Sequence, residues 1–181
     1  LFTLSMAPFL MELLYSSAFE SGTPLVCWFV VGVFGQVVSW PLGFIQIARG
    51  ASRSFIVTQT IFNGLHFGLS VLFFRTFGMV GIGMAYVALY VIYTIGMLFY
   101  MNRVTGFRWS PGAKRLIVVI SILVCSGFGL TILNFGIKGS AAGAVLAILG
   151  GFFCFRELFH RLPPNHRLVA ILRKIPGISK N

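Results

Sequence analysis

Apolar residues in this chain neither alternate along a strand nor gather on one helical stripe. They persist over long stretches, and short polar connections separate one stretch from the next. A helix needs roughly 20 consecutive apolar residues to cross the hydrocarbon core of a bilayer. By that measure the pattern predicts six spans, over residues 1–16, 24–47, 54–74, 79–101, 115–134 and 139–155. The first and last are at the short end, which tilt or local bilayer thinning accommodates. The expected fold class is all-α, a polytopic transmembrane helix bundle.

The connections carry the charge and orient the spans. Arg49 and Arg53 lie between spans 2 and 3. Arg103, Arg108, Lys114 and Arg115 lie between spans 4 and 5. Arg156, Arg161, Arg167, Arg173, Lys174 and Lys180 follow span 6. Of the 14 basic residues, only Arg75 and Lys138 fall on the opposite side. Basic connections stay in the cytoplasm, so the expected orientation has a cytoplasmic C-terminus and the 17–23 loop outside. Residues 157–181 read as a basic tail. Within it Leu168, Ile171, Leu172 and Ile175 recur at helical spacing, as in a short helix lying on the inner membrane face.

Composition narrows the chemistry. The chain is 57% apolar and 9% charged, where a soluble domain carries about 25% charged residues, so it could not cover its own surface in water. The net charge of +11 is scattered over loops and tail and does not form a nucleic-acid face. With Glu12, Glu20 and Glu157 as the sole acidic residues, carboxylate-pair catalysis and hard-metal sites have no raw material. Cys27, Cys125 and Cys154 are far apart and match no zinc or redox spacing. No nucleophile, P-loop or dinucleotide signature occurs. The expectation is a non-enzyme with no cofactor and no metal.

Polar side chains inside the spans are therefore the informative ones, because each is costly there. Span 2 carries Gln36, Ser39, Trp40 and Gln46. Span 3 carries Gln59, Asn63, His66 and Ser70 at spacings that keep them on one stripe. Two such stripes could line a hydrated cavity suited to sugar, where amides donate and accept and the indole offers a flat apolar face. They could equally hydrogen-bond across helices as packing contacts. Arg49 and Arg53 flank the cytoplasmic mouth, as donors for a phosphate headgroup or as ordinary orienting charges. Glu12 in span 1 is either an ion-coupling group or an interfacial residue reaching water. Pro41 should kink span 2. Gly64 with Gly68, Gly81 with Ala85, Gly139 with Gly143 and Ala147 with Gly151 are small-residue pairs that predict close helix contacts.

Three segments resemble polysaccharide-export flippases. They are Met6-Ala7-Pro8-Phe9-Leu10 with Leu14-Tyr15-Ser16 and Phe19, Trp40-Pro41-Leu42-Gly43-Phe44 ending in Ala48-Arg49-Gly50, and Asn63 through Phe77-Gly78-Met79-Val80-Gly81-Ile82-Gly83-Met84-Ala85. The likeness covers roughly residues 5–110. It implies the multidrug/oligosaccharidyl-lipid/polysaccharide exporter superfamily, whose members have 12–14 helices in two six-helix bundles, some with two added helices. By that resemblance residues 1–112 are C-terminal-bundle helices and 113–156 an additional hairpin. The chain, which begins at Leu1 within an apolar run, would be the C-terminal portion of a longer protein. The implied function is flipping of an undecaprenyl-pyrophosphate-linked oligosaccharide (an O-antigen, capsule or exopolysaccharide unit) across the bacterial inner membrane. The implied partners are membrane lipids and the polysaccharide polymerase and chain-length machinery. A lipid II flippase or multidrug antiporter is the nearest alternative. A membrane-embedded glycan polymerase or glycosyltransferase is the alternative from another class, and the short outer loops disfavour it.

Overall fold

The structure is a computed structural model that describes residues 3–4, 22–132, 143, 145, 148–153 and 155. Among these residues all regular structure is helical. Four long helices follow one another: α1 (Thr23–Ala48), α2 (Ser52–Phe77), α3 (Met79–Thr105) and α4 (Pro111–Ile132). Each is long and apolar enough to cross a membrane. They correspond to the second to fifth expected spans and reach further at most ends. The first and sixth spans and the basic tail fall largely or wholly outside the described residues.

Local chemistry sets the helix ends. Pro24 occupies the first turn of α1, where its missing N–H breaks no helical bond. α4 begins at Pro111, four residues before the expected start, because Ser110 caps it: the Ala113 N–H donates to Ser110 Oγ at 3.2 Å. Charged Lys114 and Arg115, which set the expected boundary, sit inside the first turns. Between α2 and α3 a single residue, Gly78, makes the connection at φ +64°, a left-handed conformation that glycine adopts without a Cβ clash. Pro41 lies inside α1, which runs unbroken through it from Thr23 to Ala48.

Packing centres on α3. It contacts α1 most extensively and α2 next, while α1 meets α2 and α4 over smaller areas. Along α3 the buried positions are Gly81, Gly83, Ala85, Leu89, Tyr93, Met97 and Met101. Small residues at one end let the backbones approach: a Cβ on Gly83 would lie 2.7 Å from Trp28 Cβ, and one on Gly81 would collide with the Phe73 carbonyl. At the other end Leu42, Tyr93, Met97 and Met101 form the main apolar core. A second cluster of Leu4 and Cys27 includes Phe128, whose ring meets Trp28 edge-on at 4.7 Å and joins α4 to α1.

The expected small-residue contacts divide on this structure. Gly81 and Ala85 are buried at the α3 interface. Gly64 and Gly68 are exposed, with open space around both. Gly139 and Ala147 lie outside the described residues. Large apolar side chains such as Val37, Phe44, Ile61, Phe67, Ile95 and Ile122 point outward, the reverse of a water-soluble helical protein and the surface a lipid environment favours.

Candidate functional site

Trp40 and Gln36 lie one turn apart on α1, and Gln59 and Asn63 lie one turn apart on α2. These four side chains line one cavity of about 300 Å³ between α1, α2 and α3, open on one side. Ser39, Gly43, Phe44, Ile47, Phe55 and Phe62 complete the α1 and α2 walls, and Leu89, Tyr90 and Tyr93 form the α3 wall. A Cβ at Gly43 would stand at ordinary contact distance from the Tyr93 hydroxyl, 3.7 Å, and from the Phe55 ring, 3.8 Å.

The cavity wall is organised by aromatic rings. Tyr86, Tyr90 and Tyr93 run down one face of α3. Tyr86 meets Tyr90 edge-on at 4.9 Å, and Tyr93 meets Phe62 edge-on at 4.6 Å. Such edge-to-face contacts hold rings in place beyond simple area burial. Tyr86 also donates from its hydroxyl to Gln36 Oε1 at 3.1 Å, which fixes one amide of the lining. Ser39, almost fully buried, donates to the Gln36 carbonyl at 2.7 Å. The cavity thus presents amide donors and acceptors, phenol hydroxyls and flat rings inside a helix group whose outer surface is apolar. Such a lining can donate and accept hydrogen bonds and can stack against a flat apolar face.

Other side chains named from sequence lie elsewhere. Gln46 is 1% exposed and does not line the cavity. Its Nε2 reaches Ser54 Oγ at 3.3 Å and Thr58 Oγ1 at 3.4 Å, and Ser54 Oγ pairs with the Tyr100 hydroxyl at 2.7 Å. Gln46 therefore ties α1, α2 and α3 together, because its stripe turns inward toward the three-helix contact by the last turns of α1. His66 also lies outside the cavity lining. Its ring sits 5.6 Å from that of Tyr86, and its Nε2 is buried with no hydrogen-bond partner among the described residues. Arg49 is engaged: its Nη1 donates to the Val104 carbonyl at 3.3 Å, near the end of α3. Arg53 lies in a separate groove with Ser54, Val57, Thr58 and Tyr100. Glu12 lies outside the described residues. Among the described residues no group of three or more His, Cys, Asp or Glu comes together.

The α3 tyrosines are the site residues that sequence reasoning missed. Their signal was present: Tyr86, Tyr90, Tyr93 and Tyr100 recur at four-, three- and seven-residue intervals, a helical stripe as regular as the amide stripes on α1 and α2. Tyrosine is counted with apolar residues in a hydropathy pattern, and its hydroxyls vanish from that view.

Comparison of the chain with family models, with curated protein sequences and with solved structures returns no match. The class that the described residues define is an all-helical protein with four helices apolar enough to cross a membrane and an amide- and aromatic-lined cavity among three of them.

Proposed function

We propose that the chain is part of a flippase that carries an undecaprenyl-pyrophosphate-linked oligosaccharide across the bacterial inner membrane. In this reading it contributes six spans to a 12–14-helix transporter, with its C-terminus in the cytoplasm. The glycan travels through a hydrated cavity while the lipid tail stays in or beside the bilayer, and two bundles rock around the cavity to alternate its access.

One observation carries the reading: Gln36, Gln59, Asn63, Trp40, Tyr90 and Tyr93 converge on a single cavity. Polar side chains within spanning helices are costly and tend to face the bundle interior or a water-filled cavity. Amides with rings are the chemistry a sugar demands, whereas a cation pathway would call for carboxylates. The orientation rests on the sorting of basic connections, and the glycolipid class on the resemblance of the three sequence segments.

The test is complementation of a deletion strain with the complete protein bearing Gln59→Ala and Asn63→Ala together. This double variant should reach the membrane at wild-type levels, and surface glycan should fall at least tenfold while the lipid-linked precursor accumulates inside. Unchanged surface glycan at normal expression would remove the cavity from the transport path. A defect confined to peptidoglycan precursor, or to drug resistance, would replace this reading with the lipid II or multidrug alternative.

A further inference from the structure

We infer that the groove between α2 and α3 at the basic end of the helices is a resident site for an anionic phospholipid, with its phosphate held by Arg53 and by a hydroxyl of the Ser54–Tyr100 pair. This inference does not depend on the flippase reading.

The groove is lined by Arg53, Ser54, Val57, Thr58 and Tyr100. Arg49 and Arg53 flank the same turn, yet their situations differ. One N–H of the Arg49 guanidinium is committed to the Val104 carbonyl. Arg53 is exposed, lines the groove and has no hydrogen-bond partner among the described residues. A guanidinium is the side chain best matched to two phosphate oxygens at once.

Proton counting supplies the second donor. Ser54 and Tyr100 bring two O–H groups, and the 2.7 Å contact between their oxygens uses one of the two hydrogens. Gln46 donates into Ser54 Oγ and takes up none of that donor capacity. Whichever way the pair is oriented, one hydrogen is left with no acceptor among the described residues. Thr58 differs, since its hydroxyl is already directed to the Ser54 and Phe55 carbonyls. The groove therefore offers a cation and one unspent hydroxyl donor side by side, at the end of the helices that also carries Arg49 and Arg103.

Its long axis has the polarity of a lipid. From Arg53 toward the middle of α2, the next outward-facing positions on that side are Val57 and Ile61, both exposed and apolar. A phosphate at Arg53 places the acyl chain along Val57 and Ile61. A free phosphate would gain nothing from that apolar continuation.

The experiment uses the complete protein purified in detergent, with phosphatidylglycerol and phosphatidylcholine as probes and bound lipid read by native mass spectrometry. Wild type should retain one phosphatidylglycerol per chain in preference to phosphatidylcholine. Arg53→Gln should weaken retention about tenfold, the loss of one charge-assisted contact. Removing both hydroxyls, Ser54→Ala with Tyr100→Phe, should weaken it by a smaller factor, and Arg103→Gln, a basic residue stacked on Phe99 at the same end, should leave it unchanged. Because Arg53 is exposed, its replacement should not disturb folding, and an unchanged melting temperature checks this. Equal losses from Arg53→Gln and Arg103→Gln would overturn the site in favour of diffuse charge attraction. Wild-type retention in Arg53→Gln would also overturn it. Displacement of phosphatidylglycerol by a much lower concentration of undecaprenyl pyrophosphate would assign the groove to the carrier lipid and overturn the resident-phospholipid assignment.

Discussion

α1 and α2 have the same length, 26 residues each, and both pack on α3, but they do so in opposite ways. α1 meets α3 at close range through Gly32, Gly35 and Gly83, where an added Cβ would strike Tyr86, Tyr90 or Trp28, and it buries Cys27, Leu42 and Gln46 completely or nearly so. α2 buries no residue fully. It is attached by the Gly78 turn, by ring contacts such as Phe62 on Tyr93, and by the Gln46 hydrogen bonds at its start. In lipid, where apolar burial drives no association between helices, backbone proximity and polar contacts hold a bundle together. The α1–α3 pair is therefore the more extensively packed one, and α2 packs on α3 with its side chains less buried. The cavity lies between the α1–α3 pair and α2.

The largest test of this contrast is Gly83→Leu. Its side chain would have to displace Trp28 and the Leu25 backbone, and overpacking of this kind costs about 1–3 kcal/mol or more. Little folded protein should survive, as read by size-exclusion chromatography and thermal unfolding in detergent. A folded, monodisperse Gly83→Leu protein would mean that α1 and α3 are not closely packed.

Gln46→Leu comes next. It removes the hydrogen bonds from α1 to Ser54 and Thr58 of α2 at an almost fully buried position and should cost about 1–2 kcal/mol. The loss should exceed that from Gln59→Ala, whose side chain lines the open cavity. A reversed order would make Gln59, rather than Gln46, the structural amide.

A smaller effect is expected at the Tyr86–Gln36 bond. A double-mutant cycle of Tyr86→Phe and Gln36→Leu should give a coupling of about 0.6 kcal/mol, the average for hydrogen bonds between membrane helices. Zero coupling would detach Gln36 from the ordered wall.

The smallest effect belongs to Gly64→Ala and Gly68→Ala. Both positions have open space around them, so stability should stay the same or rise by up to about 1 kcal/mol from the lower entropy of alanine. Clear destabilisation would reveal a close helix contact on the outer face of α2 and would end the contrast with α1.

Hydropathy alone made four of the helices legible, because a run of apolar residues that long has few alternatives to a spanning helix. The amide stripes were legible as well: the positions of Gln36, Trp40, Gln59 and Asn63 repeat at helical intervals, and the four converge on one cavity. What periodicity could not separate was Gln36 from Gln46, ten residues apart on a similar stripe. One lines a cavity and the other closes a three-helix contact, and the distinction depends on where α2 and α3 come to lie against α1. The same holds for Gly64 and Gly81. Each begins a small-residue pair, and only the approach of a neighbouring backbone makes one a packing site and leaves the other in open space.

By itself, then, the order of residues determined the helices, their alternation and the side on which the basic residues gather, since these follow from the length of apolar runs and the cost of charge in lipid. Tertiary structure decided which polar and small residues face one another. That choice turned Tyr90 and Tyr93 into a cavity wall, engaged Arg49 with the Val104 carbonyl and left Arg53 in its groove with no hydrogen-bond partner among the described residues. Partnership across helices is a matter of distance in space, and one-dimensional spacing on a single helix carries no record of it.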